Sequence, residues 1–563
     1  MRRLVAIAGL SVIAAIAVVP AVSADDDGDA GGSANPLTPA VERSSRFVPK
    51  PAGTKETLKF WFGPYTVPPG HDANRVDVDL PVQNGFIVSI EPGMKRVADL
   101  SEPSHQEAHI HHAHWFALDP GNQEDNYTYG NTEWIFGNGD EETKADFSER
   151  SAADPKGPQY GEFIGAEGPQ AMIYMLHNKT NQPLPVYIAL DVTFVHGTAA
   201  ELKTKTGRDW HDVSGVLFGR TFDVPREKKK GDGRFSTTDD MKTADGKPRP
   251  IEWVSTLEGT MIGTGSHVHP GGLRVHVENM GSKENPCPND RAGPGGGTQL
   301  LRSDALWRDG VTYSEDFQME VSHPAWRAPI HKGDRLRITG IYENAAHAWW
   351  TAMTHEGTYI DEQQKPRGRC KPYFVGPAAR LLKPSVKRVR RGGKVRRVRQ
   401  KPARRAYDGV PNRPWHGPKD KICGEAFGGP PCERPYQERG EGLETSLVHI
   451  ANFLYLPGDR ALSGQQGAPA RVKKGATLTF VNEDQQAGIR HSVTTCKWPC
   501  AGPYVGNYPW ADGAYESGTL GYDPIDGGTP NPVASTPPDL PVGKYSYFCR
   551  VHPWMRGAFE VTP

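Results

Sequence analysis

The sequence predicts an all-β chain folded as a row of β-sandwiches. Glycine and proline are abundant, 63 and 50 of 563 residues, a composition that favours many short strands closed by turns. No long amphipathic helical pattern stands out along the chain. At this length about three domains are expected, each long enough to bury a sizeable core.

The chain opens on Met1-Arg2-Arg3, an apolar run from Leu4 to Val22 and the small-residue exit Ala21-Val22-Ser23-Ala24. That order reads as a secretory signal over residues 1–24, cleaved after Ala24. A membrane anchor is the rival reading; Asp25-Asp26-Asp27 argues instead for a cleaved end. The mature protein is therefore expected to be secreted or otherwise extracytoplasmic. Residues 25–53, rich in Gly, Ser, Asp and Pro, are expected to form a flexible leader. Two sandwiches are expected over 54–225 and 226–378, a basic, Pro- and Gly-rich linker over 379–441, and a last sandwich over 442–563.

The formal net charge is +0, which excludes a general attraction of the whole chain to nucleic acid or acidic substrates. Charge is instead concentrated between Arg380 and Arg405, which hold thirteen Lys and Arg and no acidic residue. Such a run repels itself and is expected to be exposed and solvated. Its functional reading is a tether to an anionic envelope polymer, and docking on the acidic remainder of the chain is an alternative. No aromatic residue interleaves it to stack on bases, so no specific nucleic-acid partner is expected.

Seven cysteines leave an odd one in an oxidising compartment. Cys423 with Cys432, Cys496 with Cys500, and Cys287 with Cys370 can form disulfides, and Cys549 is left over. The two short pairs could alternatively bind metal, but neither has enough neighbouring ligands.

The 20 histidines cluster. Glu107-Ala108-His109-Ile110-His111-His112-Ala113-His114 is strand-like, and alternation sends His109 and His111 to one face and His112 and His114 to the other. Adjacent imidazoles on such a strand share one ion only at its end or at a bulge. His177 ends the apolar strand Met172-Ile173-Tyr174-Met175-Leu176, where a satisfied core histidine is the alternative. In Ser266-His267-Val268-His269-Pro270 the two imidazoles share parity and can chelate together. A third ligand from the segment carrying His347, Met353 and His355 is plausible.

Near the C-terminus, Tyr547-Phe548-Cys549-Arg550-Val551-His552-Pro553-Trp554-Met555 offers a thiolate, an imidazole and a thioether from one short loop, and His491 supplies a second imidazole upstream. Two nitrogens, one sulfur and a weak axial thioether suit a blue copper ion. These residues, with Val-Lys-Lys-Gly-Ala-Thr-Leu-Thr-Phe-Val-Asn at 472–482, resemble the cupredoxin family of type 1 copper proteins. The resemblance implies a cupredoxin β-sandwich that transfers electrons through copper held by His491, Cys549, His552 and Met555. Where cupredoxins often carry Asn after the first histidine, this chain has Ser492.

In order and spacing, the His-His pair, the single histidine, the His-x-His and the methionine resemble the copper type II, ascorbate-dependent monooxygenases. That family divides them between two jelly-roll domains. The resemblance implies an electron-transfer copper on His111, His112 and His177, and a dioxygen-binding, catalytic copper on His267, His269 and Met353. His347 or His355 could replace Met353, and Ala113 stands where the family has methionine. The implied protein is a multi-copper redox protein fed by a redox partner or small reductant, acting on an unknown small-molecule or peptide substrate. Two non-enzymatic readings compete: a copper-storing body joined to an electron carrier, and an envelope-associated or carbohydrate-binding body whose histidines are incidental.

Overall fold

The computed structural model describes residues 44–563 apart from 68–69, 78–81, 106, 118–124, 127–129, 132, 141, 166–169, 179–182, 226–231, 243–245, 291, 308–316, 346–348, 392–393, 413–441, 452–453, 461, 463, 488–490, 497–510, 522–530 and 551–554. The expected signal over 1–24, much of the leader, and Cys423, Cys432, Cys500, His347 and His552 lie outside the described residues. The fold is all-β, with helix confined to short pieces such as Phe147–Ala153 and Ala199–Thr206. Among the described residues no helix is long and apolar enough to cross a membrane.

The first sandwich faces two sheets. One runs Lys55–Val67, Leu184–His196, Gly85–Arg96, Gln159–Ile164, Trp210–Asp212, and the other Gly70–Asp77, Gln170–Asn178, Ala108–Ala117, Glu133–Gly139. In Lys55–Val67 the alternation is plain: Leu58, Phe60 and Phe62 are buried while Thr57 and Lys59 are exposed. These side chains meet Trp115, Tyr174, Ile188 and Leu190 from the neighbouring strands in one core.

A single large sheet forms the second sandwich, in the order Ser214–Val224, Trp349–Asp361, Gly259–Val268, Phe317–Val321, Thr298–Trp307, Gly272–Asn279, Arg335–Glu343, Arg234–Ser236. It curls until its ends meet, Phe218 packing on Trp253 at 6.0 Å between ring centroids. Trp253 belongs to the strand Ile251–Val254, which pairs with Arg335–Glu343. Cys287 and Cys370 are disulfide-bonded, as the cysteine spacing anticipates.

The two sandwiches are in contact face to face. Trp134 stacks on Tyr359 with centroids 5.1 Å apart, and the Tyr359 hydroxyl donates to the Ile135 carbonyl at 3.1 Å. Glycines make room for the indole: a Cβ at Gly215 would lie 1.7 Å from the Trp134 carbonyl oxygen, and one at Gly357 would lie 2.2 Å from its ring. Arg150 reaches across from the helix Phe147–Ala153 and donates to the Ile262 carbonyl at 2.8 Å and to Ser322 Oγ at 3.2 Å.

The basic run is more ordered than a linker. Val386–Arg391 and Lys394–Arg399 pair as an antiparallel hairpin. Val386, Val395 and Val398 stay 59%, 57% and 47% exposed. Basic side chains occupy both faces, so neither can be buried without stranding charge. After the hairpin, Val410–Pro411 pairs with the Glu320–Val321 end of Phe317–Val321.

The C-terminal sandwich pairs a sheet of order Leu443–Glu444, Ala470–Lys473, Arg556–Thr562, Gly543–Phe548, Thr494–Cys496, Ala511–Glu516 with one of order Leu454–Leu456, Leu447–Ala451, Thr479–Asn482, Val533–Ser535. Its core holds Val448, Phe480, Tyr547 and Phe559. Cys549 and Met555 belong to the same core, at the end where the last two strands turn.

Candidate metal centres

The four-histidine strand does not alternate simply. Against Gln170–Asn178 the register runs Met175 to His112 and Leu176 to Ile110, so His111 is an extra, bulged residue. The bulge turns two consecutive imidazoles to one side, with His111 and His112 centroids 4.2 Å apart. The second sandwich brings up the His-x-His pair, whose rings stand 5.2 Å apart. His112 Nε2 and His269 Nε2 then meet at 2.8 Å across the seam. His111, His112 and His269 each offer a ligand atom within 4.8 Å of the other two.

The resemblance divided His111, His112, His177 and His267, His269, Met353 between two ions. The structure's tightest nitrogen group draws from both sets. His267 flanks it, its ring 4.9 Å from His112. His177 is fully buried behind it, 5.2 Å from His109 and 6.3 Å from His111. Met353 is buried on Trp349–Asp361, two residues from His355 and therefore on the same strand face. His355 pairs in register with His267, its ring 6.5 Å away.

Nitrogens in this seam are poised to bind as neutral donors. Burial, then the neighbouring His111, His267, His269 and His114, holds His112 well below the ordinary imidazole range. Burial, followed by His114 and His267, does the same to His355. Asp140, almost fully buried, touches His111 Nδ1 at 2.8 Å, which fixes that ring and leaves Nε2 for a metal. No sequence pattern singled out Asp140, which sits at the turn after Glu133–Gly139. Beside the seam opens a small cleft of about 80 Å³, lined by His114, Trp134, Arg150, His267, His355 and Tyr359 among others.

In the C-terminal sandwich, Cys549 is fully buried as a thiol, with Sγ 3.8 Å from His491 Nδ1. A nitrogen about 2.1 Å and a sulfur about 2.3 Å from one ion in trigonal geometry stand about 3.8 Å apart, so the pair fits a shared metal. His491 Nε2 is held by Asp484 Oδ2 at 2.8 Å, directing Nδ1 at the sulfur. Burial opposes protonation of His491, but Asp484 and Cys549 outweigh it and raise its pKa. The Ser492 amide donates to Cys549 Sγ at 3.3 Å, while Ser492 Oγ accepts from the Arg550 amide at 2.9 Å. The hydrogen bond to sulfur thus comes from backbone, which the exchange of Asn for Ser leaves intact. Met555 is buried, and its carbonyl accepts from the Cys549 amide at 3.2 Å. His552 lies outside the described residues. Cys496 is disulfide-bonded, which keeps it apart from these ligands.

No protein-family model matches the chain, and no curated protein matches it. Among solved structures, a reduced amicyanin mutant is similar over 20% of this chain and 79% of its own, at 23% identity and a TM-score of 0.12. A copper-containing nitrite reductase from Thermus scotoductus is similar over 56% of this chain at 14% identity and a TM-score of 0.14, and the chain spans 57% of its length.

Proposed function

We propose that this chain is an extracytoplasmic copper redox protein whose C-terminal sandwich carries a type 1 centre of the cupredoxin kind. One observation carries the reading: the buried Cys549 thiol lies 3.8 Å from an imidazole nitrogen whose ring is fixed by Asp484. Copper bound there supplies one-electron exchange with little ligand rearrangement. Cys549 would provide the thiolate, His491 and His552 the nitrogens, and Met555 a weaker thioether sulfur. Asp484 holds the His491 tautomer, and the Ser492 amide withdraws charge from the sulfur. The purified protein should show an intense visible absorption and a type 1 paramagnetic signal with copper, and Cys549→Ser should abolish both. Colour surviving that substitution would sink the assignment.

For the body, the seam supports copper binding by His111, His112 and His269, with His177, His267 and Met353 close in the fold. The enzymatic reading is oxidation of a small organic or peptide substrate with electrons from a small reductant or redox partner, and the small cleft beside His267 and His355 gives the seam a solvent-facing side for it. Storage of metal in the body is the competing reading. Ascorbate-dependent oxygen uptake that disappears in His269→Gln, with the C-terminal absorption preserved, supports the enzyme. A protein that binds one copper and takes up no oxygen is an electron carrier. The cationic hairpin belongs to the same proposal as an electrostatic anchor to an anionic envelope polymer.

A further inference from the structure

A second constellation lies behind the seam. Ser104 accepts from the amides of Glu107 and Ala108 at 2.8 and 3.0 Å, making a helical turn just before the four-histidine strand. Side chains four apart on such a turn stand side by side. Accordingly, the His105 and His109 rings stack, with centroids 4.1 Å apart and planes at 7°. Opposite them, Asp140 Oδ1 lies 2.8 Å from His109 Nε2. His105, His109 and Asp140 each offer a ligand atom, all within 4.8 Å of one another.

The hydrogen bonding defines what this group lacks. His109 Nδ1 contacts the His105 carbonyl oxygen at 2.9 Å, and a carbonyl can only accept. Nδ1 therefore carries a proton, and Nε2 is the nitrogen that faces the Asp140 carboxylate. A nitrogen and a carboxylate oxygen 2.8 Å apart and buried are joined by a shared cation, a proton or a metal ion. Donors about 2.0 Å from a tetragonal Cu²⁺ ion stand about 2.8 Å apart, whereas tetrahedral zinc would draw them to about 3.4 Å. Glu142 Oε1 lies 3.6 Å from His105 Nδ1, and Glu102 and Glu142 line a pocket that opens onto His105 and His109. The pocket provides an entry path and a negative approach for a cation.

We infer that His105, His109 and Asp140 form a metal site separate from the seam and from the C-terminal centre, with Glu142 at its mouth. Two imidazole nitrogens and a carboxylate, with no sulfur among them, suit a borderline divalent ion such as Zn²⁺ or Cu²⁺ rather than Cu⁺. Asp140 Oδ1 also meets His111 Nδ1 at 2.8 Å, so one carboxylate oxygen joins this site to the seam. Filling the site would fix the orientation of His111 from behind.

The site does not depend on the copper reading, and its test keeps the two apart. The chelator-stripped full chain, in a Cys549→Ser, His269→Gln background, is titrated with Zn²⁺ alone and then with Co²⁺. The background protein should bind one equivalent that His105→Gln loses, and should show a cobalt ligand-field absorption that both His105→Gln and His109→Gln remove. Unchanged melting temperatures of the stripped variants establish that they fold. Equal zinc stoichiometry with and without His105 would overturn the site, and so would a cobalt spectrum indifferent to both substitutions. Either result would leave a proton-bridged histidine–carboxylate pair.

Discussion

At the scale of single residues, the C-terminal donors stand out in the sequence because they crowd into one short stretch and the odd cysteine singles itself out, and the fold sets Cys549 beside His491 and in one core with Met555. What alternation and spacing leave out is the set of groups that orient those donors. Asp484 is seven residues from His491, and nothing in the local pattern says that its carboxylate returns to the Nε2 edge. Asp484→Asn should lower copper affinity about 10–100-fold, measured by competition with a chelator, while the thiolate absorption survives at saturating copper. His276 offers a test that avoids the metal ligands. Burial pushes it down to about 4 from an ordinary 6.5, with a hydrogen bond to Gln299 and the charges of Arg274, Arg302 and Asp304 as smaller influences. Between those pH values the unfolded chain binds more protons than the folded one. His276 therefore contributes full stability above pH 6.5 and loses it as pH falls toward 4, about 3 kcal/mol in all. Denaturant midpoints should decline over that window, and His276→Gln should flatten the decline.

For whole elements, alternation predicts strands well but cannot see a bulge. The four-histidine segment reads as a strand with histidines on opposite faces, yet one extra residue at His111 places two rings together. A bulge is decided by the partner strand, and that partner lies some sixty residues away. The basic run shows a different limit. Its charge announces exposure, but the valines spaced among the arginines, with Gly392 and Gly393 at the middle, also allow two short strands to pair. Replacing Arg390, Arg391, Arg396 and Arg397 by Ser should abolish salt-sensitive retention on heparin, a polyanion probe, and leave the visible absorption unchanged. The glycine strands of the seam have no slack to give. A Cβ at Gly357 would meet the Trp134 ring at 2.2 Å, so Gly357→Val should cost about 1–3 kcal/mol by overpacking, read as a lower melting temperature.

For the molecule as a whole, the all-β class and the sequence positions of its histidines were legible, but their grouping was not. His112 and His269 are 157 residues apart and belong to different sandwiches. Only docking of the two bodies, set by Trp134, Tyr359 and their glycines, decides which imidazoles meet. Metal at the seam should therefore stabilise the assembled pair, by about 2.7 kcal/mol at a hundredfold excess over Kd. Calorimetry should show a copper-dependent rise in melting temperature that His112→Ala and His269→Ala each remove, with the double substitution losing no more than either alone. An additive loss would argue that the two rings serve different ions.

A ligand set contributed by two separately folded halves also dictates an order of events. Neither half alone presents His111, His112 and His269 together, so an ion that needs all three finds its site only once the halves have docked. Any such ion would be loaded last, and its capture ahead of docking would be limited by geometry rather than by affinity.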